Sequence, residues 1–185
     1  MRTVMLALPL AIALLMAGCT TTGGKDMLAA DAPRALPESG PVGVHWNDPA
    51  TFTELRHSRN RWDAERGNWV SELATYMRKR AEVLLPNGER LELTITDVDR
   101  AGDYEPWHGM QHQDTRIVRD IYPPRMTVQV RHFDASGALV SEGERKLSDP
   151  AFLLGTTPIN DSDPLRYEKR MIDSWLRREL NTASR

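Results

Sequence analysis

Two hydrophobic periods alternate along this chain, and together they restrict its class before any motif is considered. Val42, Val44 and Trp46 alternate with Gly43 and His45; Leu91, Leu93 and Ile95 with Glu92, Thr94 and Thr96; Met126, Val128 and Val130 with Thr127, Gln129 and Arg131. A period of two is that of a strand with one buried face. Val70, Leu73, Met77, Ala81 and Leu84 instead recur every three or four residues, and Leu165, Ile172, Trp175 and Leu176, with Met171 and Leu180 alongside, fall on one face of a second helix. That is the stripe of an amphipathic helix. Asn68 is placed to cap the first helix and Pro86-Asn87-Gly88 to end it, while Asp163-Pro164 opens the second. Arg116–Tyr122 reads as a further extended segment broken by Pro123-Pro124, and Asp134-Ala135-Ser136-Gly137 as a hairpin turn into the strand that follows. The order β-α-β-β-β-β-α describes an α+β domain: a mainly antiparallel sheet of about four to five strands with two amphipathic helices packed on one face. Residues 51–69 show no period; their mixed charges read as an irregular segment with one helical turn and its arginines as a solvated face.

The N-terminus has a different character. Val4–Ala17 is an unbroken apolar run behind a single charge, Arg2. Fourteen residues are too few to cross a hydrocarbon core of roughly 30 Å as a helix, but they suit the apolar region of a signal peptide. Met16-Ala17-Gly18-Cys19 resembles a bacterial lipobox, with Met16 where the usual pattern has Leu. The resemblance implies cleavage before Cys19, acylation of that Cys, and a membrane anchor through it. Thr20 rather than Asp follows; in the lipoprotein sorting pattern an Asp there favours inner-membrane retention, so Thr20 implies the outer membrane, with the domain facing the periplasm. The expected organisation is a signal peptide over 1–18, acylated Cys and flexible tether over 19–41, and one domain over 42–185. The tether is rich in Thr, Gly, Ala and Pro, and its 22 residues from Thr20 to Pro41 would reach about 25 Å.

Composition excludes several classes. The 24 Lys+Arg nearly balance 26 Asp+Glu, which is not the basic footprint of a nucleic-acid binder. Cys19 is the only cysteine, so no disulfide framework and no multi-Cys metal site can form. The chain contains no G-x-S-x-G elbow, P-loop, G-x-G-x-x-G or H-E-x-x-H.

Four blocks carry a resemblance. They are Asp97-Val98-Asp99 with Ala101-Gly102-Asp103-Tyr104-Glu105-Pro106-Trp107, then Arg116–Arg125 (RIVRDIYPPR), then Gly143-Glu144-Arg145-Lys146-Leu147, and last Asp163-Pro164-Leu165-Arg166-Tyr167-Glu168-Lys169. In order and spacing they resemble the domain of unknown function 3016 family, uncharacterised proteobacterial envelope proteins. The resemblance runs from Val42 to about Leu180 and implies an envelope location and a single domain. It implies no reaction, ligand or catalytic residue.

Chemistry is expected in the long loop Asp97–Asp114, because loops of this length are functional or disordered. Asp97, Asp99, Gly102 and Asp103 resemble the start of a calcium loop, but Ala101 and His108 stand at ligand positions; Glu105 is the substitute. His108 and His112, four apart with Met110 between and Asp114 near, have the spacing of a zinc or copper pair on a helix. Tyr104, Trp107 and Met110 are large apolar groups in a polar loop, the composition of a protein-binding surface or of a core plug. Asp97 and Asp99 fall on one side of a continuing strand, about 6.5–7 Å apart. Arg116 and Arg119 fall on opposite sides, and Arg119-Asp120 with Tyr122–Arg125 reads as a salt-bridged corner. The reading that follows is a non-catalytic interaction module with an envelope protein partner, against a small metal-binding protein or enzyme that uses the loop. No cofactor is expected beyond Ca, Zn or Cu at that loop, and no nucleic acid.

Overall fold

The computed structural model describes residues 27–29, 31–108, 114–154 and 162–183, so the expected signal peptide, Cys19, Met110 and His112 lie outside the described residues. In chain order the elements are β1 (Val42–Trp46), the short helices α1 (Thr53–His57) and α2 (Arg61–Ala64), α3 (Trp69–Leu84), β2 (Arg90–Asp99), β3 (Asp103–Tyr104), β4 (Arg116–Ile117), β5 (Arg125–Phe133), β6 (Leu139–Ser148) and α4 (Arg166–Ala183). Four strands form one sheet in the order β1-β2-β5-β6, and β3 with β4 makes a separate two-stranded ribbon.

The fold is α+β, as the two periods imply, with one change of detail: β1 runs parallel to β2, Val44 opposite Leu93, so the sheet is mixed. Parallel neighbours need a long crossover, and α3 supplies it. The other pairings, β2 with β5 and β5 with β6, are antiparallel. Val42, Val44, Leu91, Leu93, Ile95, Val128 and Val130 form one buried cluster with Leu73 and Met77 of α3 and Ile172 and Leu176 of α4. The opposite face is a polar ladder in which Arg131 reaches both Glu92 and Glu142 across the strands.

Turn chemistry holds the expected positions. Asp134 Oδ1 accepts from the N–H groups of Ser136 and Ala138, closing the β5–β6 turn, and Asp163 Oδ1 accepts from Leu165 N–H as α4 begins. Only Arg116–Ile117 of the expected extended segment 116–122 is strand; Tyr122 N–H returns to Arg119 C=O in a turn. The segment over 51–69 is more ordered than expected, with α1 and α2 in it.

The stretch expected to be tether also changes. Leu36 N–H donates to Val44 C=O and Trp46 N–H to Arg34 C=O, which lays residues 34–36 along the free edge of β1. Arg34 bonds Met27 C=O and Asp48, while Met27 and Ala32 are buried. The apolar side chains Met27, Ala32 and Leu36 cover surface that β1 and α3 would otherwise expose; in a run of Ala and Pro this is not visible as a period. Described residues from Met27 onward thus already pack against the domain, within the stretch expected as tether.

Candidate functional site

A cleft of about 220 Å³ opens at the end of the sheet where β2 meets α1, lined by Glu54, Arg59, Asp99, Asp103, Arg116 and Arg125 among others. At its base is an ion pair the sequence did not disclose. Glu54, on α1 between the buried side chains of Phe52 and Leu55, is itself 3% exposed. It accepts from Arg100 N–H at 3.0 Å and pairs with the Arg116 guanidinium. Arg116 also donates to Gly102 C=O at 2.9 Å and lies 4.9 Å from the centre of the Tyr104 ring. A buried charge persists only when paired and hydrogen-bonded, and here both partners are.

Asp97 serves α1. Its carboxylate accepts from Thr53 N–H at 2.6 Å and from Thr53 Oγ1 at 2.8 Å, capping the helix across the cleft because its own N-cap, Phe52, has no side-chain acceptor. Asp99, as expected, follows on the continuing strand; it contacts Arg125 opposite at 3.4 Å. Burial, and then the neighbouring Glu54, hold its carboxyl above the ordinary range. Asp103 pairs with Arg59 and accepts from the Tyr104 N–H. Glu105, buried, is met by Arg119 at 2.8 Å and by the Tyr122 hydroxyl at 3.1 Å, the salt-bridged corner that was expected there.

Asp97, Asp99, Asp103 and Glu105 therefore face separate partners. Among the described residues no three His, Cys, Asp or Glu side chains converge where a metal ion could be held. His108 ends a short 3-10 turn, and Asp114 accepts from Asn60 Nδ2 at 2.8 Å.

The candidate interaction residues divide. Tyr104 is 1% exposed and cannot form a contact surface: its ring fills the space under Arg116, and its hydroxyl donates to Asp63. Burial and that hydrogen bond push its pKa up to about 12. Trp107 is 60% exposed, with Arg59 5.0 Å from its ring centre. Ile121, on the cleft wall, and Trp62, on α2, are exposed to a similar degree and were not among the expected residues. Of the apolar anchors expected in residues 51–69, Phe52 and Leu55 are buried but Trp62 is not, because a stretch without a period does not fix which face an aromatic takes.

Gly102, just before β3, lets β4 approach the bend that follows β2. Its φ is +82°, and a Cβ there would stand 2.8 Å from Ile117 C=O. Gly102→Ala is expected to destabilise the domain by about 2–4 kcal/mol, combining left-handed backbone strain with a backbone clash. A urea titration reads this; an unchanged midpoint would mean that the ribbon does not need this approach.

Residues 40–178 match the family described as Protein of unknown function (DUF3016). The chain belongs to that family. The match spans the sheet, the cleft and most of α4. No curated protein matches the chain, and no solved structure does.

Proposed function

We propose that this DUF3016 protein is a lipid-anchored lipoprotein of the bacterial envelope, held in the outer membrane through Cys19 and facing the periplasm, whose domain is a non-catalytic binding module. The lipobox-like Met16–Cys19 and the sole cysteine support the anchor. The observation that carries the rest is how the cleft spends its charges. On the cleft wall Glu54 is committed to Arg116 and Asp103 to Arg59, next to it Asp97 is committed to Thr53 and Glu105 to Arg119, and Asp99, also on the wall, faces Arg125 at 3.4 Å. General acid–base work needs a carboxylate in reach of a substrate proton; Asp97, Glu54, Asp103 and Glu105 are tied into the scaffold instead, and Asp99 is met by Arg125. What the cleft end presents to solvent is Trp62, Trp107 and Ile121.

The anchor is tested by feeding cells labelled palmitate. The native chain is expected to take the label and pellet with membranes, and Cys19→Ser to lose both; label retained in the variant would sink the anchor. The binding face is tested by a photo-reactive residue at Trp107 in cells. Val83, 70% exposed near the other end of α3, is the control. Adducts from Trp107 alone are expected. Equal yields from both positions would remove the binding face.

A further inference from the structure

The segment from α1 to α2 sorts its charges by depth. Its exposed residues include Arg56, His57, Arg59, Arg61, Trp62 and Arg66, whereas its acids, Glu54, Asp63 and Glu65, are buried or half-buried. Arg59, Arg61 and Arg66 each rest on a carboxylate, Asp103, Glu65 and Asp63, and so hold their guanidinium groups in place at the surface. Arg59 and Arg66 also stack on Trp107 and Trp62, at 5.0 and 4.5 Å from the ring centres. Arg125, 60% exposed, and Arg119, 47%, extend the same end of the molecule, where Asp114 and Asp120 are the exposed acids. Trp indoles beside outward arginines are the side-chain mixture of a membrane–water interface: the ring suits the headgroup depth and the guanidinium a phosphate.

The chain's path points the same way. Met27 and Asn68 line one apolar groove, and Asn68 is two residues from Arg66, so the polypeptide enters the domain beside this cationic and aromatic end. Because residues 34–36 are laid along β1, only Thr20–Asp26 separate Cys19 from Met27. Eight links, even fully extended, span at most about 28 Å. An anchor at Cys19 thus limits how far this end can stand from lipid.

We infer that the end of the domain bearing Trp62, Trp107 and Ile121 with Arg56, Arg59 and Arg61 docks on the surface of an anionic phospholipid bilayer. The inference deepens the proposed binding module by naming its partner, and it takes its orientation from the proposed anchor. Its chemistry does not need the acyl chain. The assay can therefore use the chain from Thr20 to Arg185, which retains every buried core residue from Met27 to Leu180.

The experiment is co-sedimentation of that unacylated chain with vesicles of equal parts phosphatidylglycerol and phosphatidylcholine, and with vesicles of phosphatidylcholine alone. Binding is expected to the anionic vesicles only and to weaken as salt is raised, since exposed charges are screened within about 10 Å at 0.1 M. Arg56→Glu with Arg61→Glu is expected to lower the affinity at least twentyfold, at about fivefold for each arginine lost. Trp62→Ala with Trp107→Ala is expected to lower it about tenfold while Val83→Ala leaves it unchanged; these side chains are exposed, so a preserved melting temperature verifies folding. No sedimentation, or equal sedimentation with neutral vesicles, would overturn the inference. So would a Trp107 photo-adduct in cells that runs as one discrete protein, which would make the partner a protein. Loss of palmitate labelling with vesicle binding intact would instead remove the anchor and leave the surface.

Discussion

Glu54→Ala is expected to lower the stability of the domain by about 3–5 kcal/mol, the usual consequence of removing one partner from a buried ion pair. For a domain of this size that corresponds to a fall in melting temperature on the order of 10 °C. The loss has three sources. Arg116 is left charged at 17% exposure without its carboxylate, Arg100 N–H loses its acceptor, and the side-chain volume next to Phe52 and Leu55 is emptied. Arg116→Met alone should be milder, because the methionine keeps much of the side-chain volume and Arg100 N–H keeps its acceptor. The double variant Glu54→Leu with Arg116→Met should recover much of the single-variant loss, since an apolar pair of similar volume removes both desolvation penalties. Chemical denaturation of the three variants measures this. If Glu54→Ala falls by less than 1 kcal/mol, the pair is not the support of the cleft described above.

That pair shows where sequence reasoning ended. The helices and strands that build the core were legible because each presents a periodic face: all of Leu165, Met171, Ile172, Trp175, Leu176 and Leu180 are buried, as are Leu91, Leu93 and Ile95. The parallel pairing of β1 and β2 was not, because period two is the same for either direction. In β2 the register shifts between Ile95 and Asp97, so Val98 rejoins the buried side although the alternation read from Leu91 would turn it outward. The bulge leaves Asp97 and Asp99 on either side of Val98, in reach of Thr53 and Arg125.

The cleft itself was only half legible. The loop after Ile95 was suspect for its length, and its corner at Arg119 and Tyr122 was read as structural. Its opposite wall comes from α1, more than forty residues earlier, in a stretch without a period. Long-range ion pairs such as Glu54 with Arg116 leave no local trace, because any of the 24 basic groups could have answered any of the 26 acids. Tyr104 was left open between a binding surface and a core plug for a related reason. What decides it is a distant residue, Asp63, which accepts from its hydroxyl under a buried ring.

Glu168 offers the second large effect. It lies on α4 beneath the bend after β2, is 1% exposed, and accepts from Ala101 N–H at 2.7 Å, while its other oxygen is buried with no hydrogen-bond partner among the described residues. Glu168→Ala strands Ala101 N–H and opens a cavity, and is expected to destabilise the domain by about 2–4 kcal/mol. Glu168→Gln keeps the acceptor and behaves differently. Burial raises the pKa of Glu168, an effect that the Ala101 N–H and the nearby Arg100 and Arg116 only partly offset. Between the ordinary carboxylate value and this raised one, the folded protein holds the proton and the unfolded chain does not. The group's contribution is therefore fully present below the ordinary value and lost as pH rises through the raised one. Glutamine cannot titrate, so the difference between Glu168→Gln and the native chain should move in the variant's favour from pH 4 toward neutrality and then level off. Urea midpoints of the two proteins across that range read the difference directly, and subtraction cancels the carboxylates they share. A difference that is flat with pH, or one that moves against the variant, would mean that Glu168 is ionised in the fold and that its two arginines, not its burial, decide its state.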